Sequence, residues 1–309
     1  MIGDAAIDRV EANGRCLELP GGTGANISVA LSRLGVRSGL ITKLGTDRFA
    51  DALIEKLKRE AVDTQYVSFS EVYATASVTV AVDELGERVF SYPDEPGADS
   101  QLQCSDIPHF EAGDWLCVSS FALSQRRSRE ATFFAIARAR NTGCIVIVDA
   151  NMRADRWDDR ALLVPATSEA LGMADIAKVS EDELLLLTGA GSLETAIREL
   201  RQWPAKIKII TRAERGAILL TAGAEFHCQG YAVPAIDMTG AGDAFTAAFI
   251  SRLLSSENWS DVALVDAVEF SNACGALVVG KVGAMSGLPD SKTVNTFMAE
   301  RGRYVGAGE

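Results

Sequence analysis

A short stretch in the last quarter of the chain combines residue types that can act on an anion. In Met238–Phe245, "MTGAGDAF", a Gly-Ala-Gly turn leads into a helix predicted at Ala241–Leu254. The first N–H groups of a helix have no partners within it, so an anion bound at the turn would satisfy them. Asp243 falls in the first turn, where the helix dipole predicts a lowered pKa.

An anion-binding turn beside a carboxylate suits the transfer of a phosphoryl group to an alcohol. The transition state of that reaction is loose, so the acid only has to orient the attacking hydroxyl and accept its proton late. The alternative is that Asp243 is an ordinary helix-start residue, since acids are common there. The stretch alone leaves both interpretations open.

A second glycine cluster lies near the N-terminus. In Pro20–Gly35, "PGGTGANISVALSRLG", three glycines precede an amphipathic helix. Glycines at this place let a ligand approach the backbone and the helix N-terminus. The stretch matches neither a Walker loop nor a dinucleotide-binding fingerprint. A plain turn before a helix explains it equally well.

Strand-like apolar runs alternate with helical patterns along the chain, which predicts an α/β fold. The predicted core strands are Leu40–Leu44, Trp115–Ser119, Cys144–Asp149, Ile176–Val179, Ile207–Thr211 and Ala217–Leu220. The predicted surface helices are Asp47–Glu60, Arg127–Arg140 and Leu193–Gln202.

One region breaks the alternation. Ala74–Tyr92 has the period of two strands joined by a turn at Glu84–Gly86, and Arg9–Leu19 also lacks a helical period. We expect the two segments to pair as a small separate sheet. This sheet is either a lid over a cleft or an extension of one sheet edge.

The composition excludes several classes of protein. The chain has 309 residues and a formal charge of -12 without a basic run, which argues against nucleic acid or anionic membrane as a partner. No run reaches the roughly 18 apolar residues of a membrane span, and the N-terminus lacks a secretory signal pattern, so we expect a cytoplasmic protein. Six dispersed cysteines suit reduced thiols, and two histidines make a zinc site or histidine-based hydrolase improbable.

The pairing of "GGTGAN" with "DMTGAGDAF" resembles the two signatures of the ribokinase-like carbohydrate kinases, the PfkB family. Further similar segments follow in the family's order: "GDAAID", "DANMRADRW" (Asp149–Trp157), "KVSEDELLLLTG" (Lys178–Gly189), "TRAERGAILL" (Thr211–Leu220) and "SNACGALVVGKVGAMSGLP" (Ser271–Pro289). The resemblance covers the whole chain. It implies a single domain over residues 1–309, three α/β/α layers around a mostly parallel sheet, and a small β lid formed by residues 9–20 and 72–97.

The resemblance also implies roles for individual residues. Asp243 matches the catalytic base, and the backbone of Gly240, Ala241 and Gly242 matches the anion hole. The positions that match sugar contacts are Asp8, Gly22, Asn26 and Arg153. A carboxylate and an amide can together grip the hydroxyls of a neutral polyol.

The cosubstrate implied by the resemblance is ATP with Mg²⁺. Glu183 matches the glutamate that holds hydrated Mg²⁺, while Ser180 stands where the family often has Asn. Nucleotide contacts are expected at Ser180, Thr211, Gly216 and Asn272. Asp237 and Gly283 resemble the loops that hold a monovalent cation, often K⁺.

The acceptor is less closely defined. Thr23 stands where sugar-phosphate kinases of the family often have Lys, which favours a neutral sugar. Arg153 belongs to an Asp-x-Asn-x-Arg segment like that of fructokinases, although it could instead pair with Asp155 or Asp158 on the surface. The first choice is therefore D-fructose.

Three alternatives stay open. Two are other acceptors, namely aminoimidazole riboside and 2-keto-3-deoxygluconate. The third is a catalytically silent sugar- or nucleotide-binding protein on the same fold. A homodimer formed through the lid sheets is a further expectation from the resemblance.

Overall fold

The computed structural model describes residues 1–12, 15–82, 88–91, 93 and 95–301. The strands in these ranges are β1 (Ala6–Ala12), β2 (Arg15–Gly21), β3 (Thr42–Gly45), β4 (Val67–Ser70), β5 (Ala76–Val82), β6 (Arg88–Ser91), β7 (Trp115–Ser119), β8 (Ile145–Asp149), β9 (Ile176–Ser180), β10 (Ile207–Thr211), β11 (Ala217–Leu220) and β12 (Glu225–Cys228). The helices are α1 (Thr23–Arg33), α2 (Arg48–Arg59), α3 (Arg126–Asn141), α4 (Leu163–Gly172), α5 (Glu181–Thr188), α6 (Leu193–Leu200), α7 (Ala241–Leu254), α8 (Asp261–Val278) and α9 (Ser291–Arg301).

The central sheet has six strands in the order β12-β11-β10-β9-β8-β7. Strands β7 to β10 run parallel, and β11 and β12 add an antiparallel edge. Its parallel strands are almost continuously apolar because helices cover both faces. In β8, Ile147 packs into one core with α1, α7 and α8, while Val146 and Val148 pack into a second core with α3 and α4. The predicted α/β class with three layers is confirmed.

Most predicted elements agree with the structure to within about two residues, which is the usual uncertainty of an element end. Helix α7 has the predicted bounds, and α2 begins directly after Asp47, whose carboxylate accepts hydrogen bonds from Phe49 N and Ala50 N. The prediction was wrong for Leu40–Leu44 as a strand of the central sheet. Strand β3 starts later and pairs with β4, and Ile2 bridges Ile41 to Val118 between the two sheets.

The small separate sheet is present, with strand order β2-β1-β5-β6. Two antiparallel hairpins, β1 with β2 and β5 with β6, join through the parallel pair β1 and β5. The predicted pairing is thus confirmed, with β1 beginning at Ala6. The turn predicted at Glu84–Gly86 lies outside the described residues. None of the described helices is long and apolar enough to cross a membrane.

Candidate active site

A cavity of about 720 Å³ opens between the small sheet and the carboxyl ends of the central strands. Ligands of open α/β sheets bind at this edge. Eight of the predicted site residues line the cavity, namely Asp8, Gly22, Asn26, Arg153, Asp237, Gly240, Gly242 and Asp243. Seven others do not, namely Ala241, Ser180, Glu183, Thr211, Gly216, Asn272 and Gly283.

The turn before α7 forms the centre of the site. Gly240 precedes the helix with φ 84°, a left-handed conformation that favours glycine, and a Cβ there would lie 2.8 Å from that of Ala284. Ala241 N donates a long hydrogen bond of 3.3 Å to the carbonyl of Met238. The turn therefore presents backbone to the cavity, as an anion hole requires.

Asp243 is buried in the first turn of α7, with only 7% of its surface exposed. Its Oδ2 accepts a 2.8 Å hydrogen bond from Asn26 Nδ2, which comes from α1. The contact joins the two glycine-led helices identified in the sequence. Among the described residues, Asn26 Oδ1 is buried and has no hydrogen-bond partner. The amide thus keeps an unused hydrogen-bond acceptor next to Asp243.

The predicted lowering of the Asp243 pKa was wrong. Burial raises the pKa of Asp243 to about 7, and the nearby carboxylates of Asp149 and Asp4 add to the increase. The hydrogen bond from Asn26 and the charge of Lys178 act in the opposite direction. Desolvation of the buried carboxylate raises its pKa by more than the helix N-terminus lowers it. Asp243 is therefore a stronger base than an ordinary carboxylate.

A buried ion pair lies beside Asp243 and was missed in the sequence. Lys178 Nζ is 2.9 Å from both carboxylate oxygens of Asp149, and Thr246 Oγ1 donates to Asp149 Oδ2 at 2.7 Å. Asp149, at the end of β8, and Lys178, in the middle of β9, are cross-strand neighbours. A Cβ on Gly242 would lie 3.3 Å from Lys178 Nζ. The ammonium group thus lies next to the anion-binding turn.

Glu183 joins two loops at the edge of the sheet. Its Oε1 accepts from Met152 N and its Oε2 from Ser180 N, both at 2.7 Å. Ser180 Oγ accepts from Glu183 N in return, completing a capping box at the start of α5. Each Glu183 oxygen keeps a lone pair for a metal-bound water, so the residue suits the outer sphere of Mg²⁺.

The segment after β8 forms one wall of the cavity. Asn151 has φ 31°, unusual for a residue other than glycine, and its Nδ2 donates to Thr23 Oγ1 at 2.7 Å. Arg153 is exposed and lines the cavity. Among the described residues, no ion pair joins Arg153 to Asp155 or Asp158, and the Asp158 carboxylate instead lies 3.2 Å from Arg129 Nη1 and accepts from Arg126 N.

Asp237 connects the loop before α7 to the loop before α9. Its Oδ1 accepts from Thr239 N at 2.9 Å and its Oδ2 from Gly283 N at 2.8 Å. Gly283 has φ 86°, and a Cβ there would lie 3.1 Å from Leu19 Cδ1 of the small sheet. The two predicted cation-site residues therefore contact each other, and one of them abuts β2.

The predicted nucleotide residues lie at the same sheet edge, outside the large cavity. Thr211 ends β10, and Gly216 follows it in the turn to β11. Asn272 is on α8, and its Nδ2 is 3.3 Å from the Cys228 carbonyl and 3.1 Å from the Gln229 carbonyl. Its amide thus fixes the end of β12 rather than pointing into the cavity.

The acceptor side of the cavity carries further acids. Asp8 packs over Gly21, and a Cβ on that glycine would lie 2.5 Å from Asp8 Oδ2. Asp4, missed in the sequence, is buried and lines the cavity, with Gly24 N 3.4 Å from its Oδ1. Burial raises the pKa of Asp4. Arg156 and Phe121 also line this side and were not singled out either.

Comparison with known proteins fits this geometry. The model of the pfkB family carbohydrate kinases matches residues 4–291. The chain belongs to the pfkB family of carbohydrate kinases. It is 36% identical over 298 residues to a fructokinase of Salmonella typhimurium, covering 96% of this chain and 97% of that protein.

Two solved structures are similar over nearly their whole length. A double mutant of the Vibrio cholerae O395 fructokinase, bound to fructose, ADP and potassium ion, has a TM-score of 0.92 and 38% identity, covering 96% of each chain. The Salmonella enterica aminoimidazole riboside kinase, complexed with aminoimidazole riboside and an ATP analogue, has a TM-score of 0.88 and 35% identity, covering 96% of this chain and 98% of that one. These similarities confirm the ribokinase-like fold expected from the motifs.

Proposed function

We propose that this carbohydrate kinase transfers the γ-phosphoryl group of ATP to the primary hydroxyl of D-fructose, giving fructose 6-phosphate and ADP. The observation that carries the proposal is the buried Asp243 beside the Gly240–Gly242 turn, facing a cavity lined with hydrogen-bonding groups. The similarity to two fructokinases supports fructose as the acceptor.

In the proposed reaction, Asp243 orients the acceptor hydroxyl and takes its proton. The hydroxyl oxygen forms a bond to the γ-phosphorus, and the bond from that phosphorus to the bridging oxygen of ADP breaks. N–H groups at the start of α7 and the ammonium of Lys178 stabilise the charge on the phosphoryl oxygens. A pKa of about 7 leaves a substantial ionised fraction of Asp243 at neutral pH.

The acceptor is held from three sides in this proposal. Asp8 and Asp4 accept hydrogen bonds from sugar hydroxyls, and Asn26 Oδ1 accepts another next to the base. Arg153 donates from the wall formed after β8. These groups recognise a hydroxyl-rich, neutral ligand because most of them accept hydrogen bonds and hydroxyls can donate them.

Nucleotide and metal binding follow from the remaining predicted residues. Mg²⁺ neutralises the nucleotide phosphates when bound. Glu183 would hold it through water, and Ser180, Thr211, Gly216 and Asn272 would border the nucleotide. We propose a monovalent cation such as K⁺ near Asp237 and Gly283, whose contact joins the two loops beside the turn.

Three further expectations belong to the proposal. The small sheet, approximately residues 9–20 and 72–97, acts as a lid on the single domain, supported by the cavity-lining residues Ala76, Ser77 and Val78 of β5. Its open edges are suited to pairing with a second copy as a homodimer. A cytoplasmic location is supported by six cysteines that are all free thiols.

Aminoimidazole riboside is the second candidate acceptor, since a kinase for it is similar over nearly the whole chain. A coupled assay of ADP release with fructose, aminoimidazole riboside, ribose and 2-keto-3-deoxygluconate tests both. We expect the highest kcat/KM for fructose. A higher value for the riboside would replace fructose, and no turnover with any sugar would refute the kinase proposal.

A further inference from the structure

Arg156 occupies a place that the proposed roles above leave unexplained. It ends a short helical turn after β8, and it lines both the large cavity and a small cavity of about 10 Å³ behind it. Its backbone is fixed on both sides, since Arg156 N donates to the Arg153 carbonyl and Gln125 Nε2 donates to the Arg156 carbonyl. The backbone position from which the side chain extends is therefore fixed at the acceptor side of the cavity.

The surroundings of Arg156 are buried and acidic. Its guanidinium lies 5.4 Å from the centroid of the Phe121 ring, within range of a cation–π contact. Its charge lowers the pKa of both Asp4 and Asp99, but burial outweighs this and raises the pKa of Asp99 to about 6. Arg156, Asp4 and Asp99 all line the small cavity, so the positive charge of Arg156 lies near two buried carboxylates.

The shape of the guanidinium allows a second role at the same time. It carries five N–H groups in a planar fork, so one edge can serve buried carboxylates while another faces the cavity. Lysine has one compact ammonium group and cannot divide its donors in this way. A guanidinium can only donate hydrogen bonds, so any ligand group that it binds must be a hydrogen-bond acceptor.

This requirement separates the two candidate acceptors. D-fructose presents hydroxyls and a ring oxygen on every side, and each can accept from a guanidinium. An aminoimidazole riboside carries hydroxyls on its ribose alone, and its flat base offers one ring nitrogen as an acceptor beside an amino group that donates. Its base end therefore offers a guanidinium fewer acceptors than fructose does. Sites that pair polar groups with a substrate discriminate strongly against analogues that leave those groups unpaired.

We propose that Arg156, backed by Asp4, is a specificity-determining residue that selects a hydroxyl-rich sugar over a base-bearing riboside. The inference rests on the proposed sugar kinase function and refines its acceptor. Discrimination between the two acceptors is thus assigned to one side chain. Its effect can be measured separately from catalysis at Asp243.

The test compares kcat/KM for fructose and for aminoimidazole riboside in wild type and Arg156→Met. We expect kcat/KM for fructose to fall about 10- to 100-fold, mainly through KM, as for loss of a hydrogen bond to a charged group. The value for the riboside should change by less than about threefold. Arg160→Met, an exposed arginine in the next turn, serves as the matched control and should change neither.

A purely structural role for Arg156 makes different predictions. Arg156→Lys keeps the charge near Asp4 and Asp99, and Arg156→Met/Asp99→Asn removes the unpaired carboxylate, so each should recover thermal stability. We expect neither to recover the preference for fructose. An equal loss for both acceptors in Arg156→Met, or a preference restored by Asp99→Asn, would overturn the proposal.

Binding of fructose measured by calorimetry in the absence of ATP gives a readout independent of turnover. We expect the Kd for fructose to increase in Arg156→Met and to stay unchanged in Arg160→Met. If wild type bound fructose without phosphorylating it, the proposed reaction would fail while this comparison still tested Arg156. An unchanged Kd in Arg156→Met would refute the specificity role.

Discussion

Asn26 Nδ2 lies 2.8 Å from Asp243 Oδ2, so the first residues of α1 fix the carboxylate at the start of α7. The two residues are 217 positions apart, and each follows one of the two glycine clusters. The contact occupies one oxygen of Asp243 and leaves Oδ1 for a substrate hydroxyl. It explains why the two motifs must occur together for the chemistry to work.

Asp243→Ala should reduce kcat by roughly three orders of magnitude or more, because the proton acceptor and its orientation are both lost. Fructose binding should stay within a few-fold of wild type, since the other acceptor contacts remain. Steady-state kinetics and calorimetry measure the two effects. Asp182→Asn, an exposed first-turn acid on α5, is the control. Turnover equal to wild type would disprove the assigned role.

The pH profile should reveal the raised pKa of Asp243. Activity requires the ionised carboxylate, so kcat/KM should fall as the pH decreases through about 7. Asn26→Ala removes the hydrogen bond that lowers this pKa, so the acidic limb should move to higher pH by about half a unit or more. An acidic limb that stays in place in this variant would contradict the interpretation.

Asp243 should also make the folded state less stable as the pH rises. Its folded pKa of about 7 exceeds the ordinary value of 3.8, so the folded chain binds more protons between these values. The free energy of unfolding should therefore decrease over this range, by up to roughly 4 kcal/mol for this group.

Asp243→Asn should cancel this pH dependence. We expect the substitution to increase the free energy of unfolding at pH 8 and to change it little near pH 4. Urea denaturation at both pH values measures the difference. The same change in the free energy of unfolding at both pH values would show that burial does not shift the pKa of Asp243.

Lys178→Met should strongly destabilise the fold. The substitution leaves Asp149 charged and buried with only Thr246 as a hydrogen-bond donor among its former partners, which typically costs about 3–5 kcal/mol. The double variant Lys178→Met/Asp149→Asn should recover much of that loss. Denaturant unfolding tests both.

The exposed pair Arg59–Glu55 is the control for the loss of an ion pair. Its side chains are 68% and 67% exposed, so Arg59→Met should cost less than about 1 kcal/mol. Equal costs at Lys178 and Arg59 would show that the Lys178–Asp149 pair is effectively solvated.

The sequence was sufficient for elements whose pattern is local. The bounds of α7 and the pairing of the small sheet follow from turns and periodicity, which neighbouring residues determine. The sequence could not show which sheet the segment Leu40–Leu44 would join, because its position depends on Ile2 inserting between two sheets. That insertion is a tertiary contact without a local signal.

In the site, too, local patterns were predictable from the sequence and tertiary effects were not. The position of Asp243 follows from a motif, but its pKa depends on how deeply α7 is buried, and burial is a property of the whole fold. Lys178 gave a weak signal as a charged residue inside the apolar run Ile176–Ser180. Its partner Asp149 is identified only when β8 and β9 become neighbours.

The contact between Gly283 and Leu19 limits how far the small sheet can approach the central one. With hydrogen as its side chain, Gly283 lets β2 rest almost on the loop that holds Asp237. One added methyl group there would lie 3.1 Å from Leu19 Cδ1, so Leu19 or the loop would have to shift by a few tenths of an ångström. The small size of Gly283 thus keeps β2 and the loop of Asp237 close together.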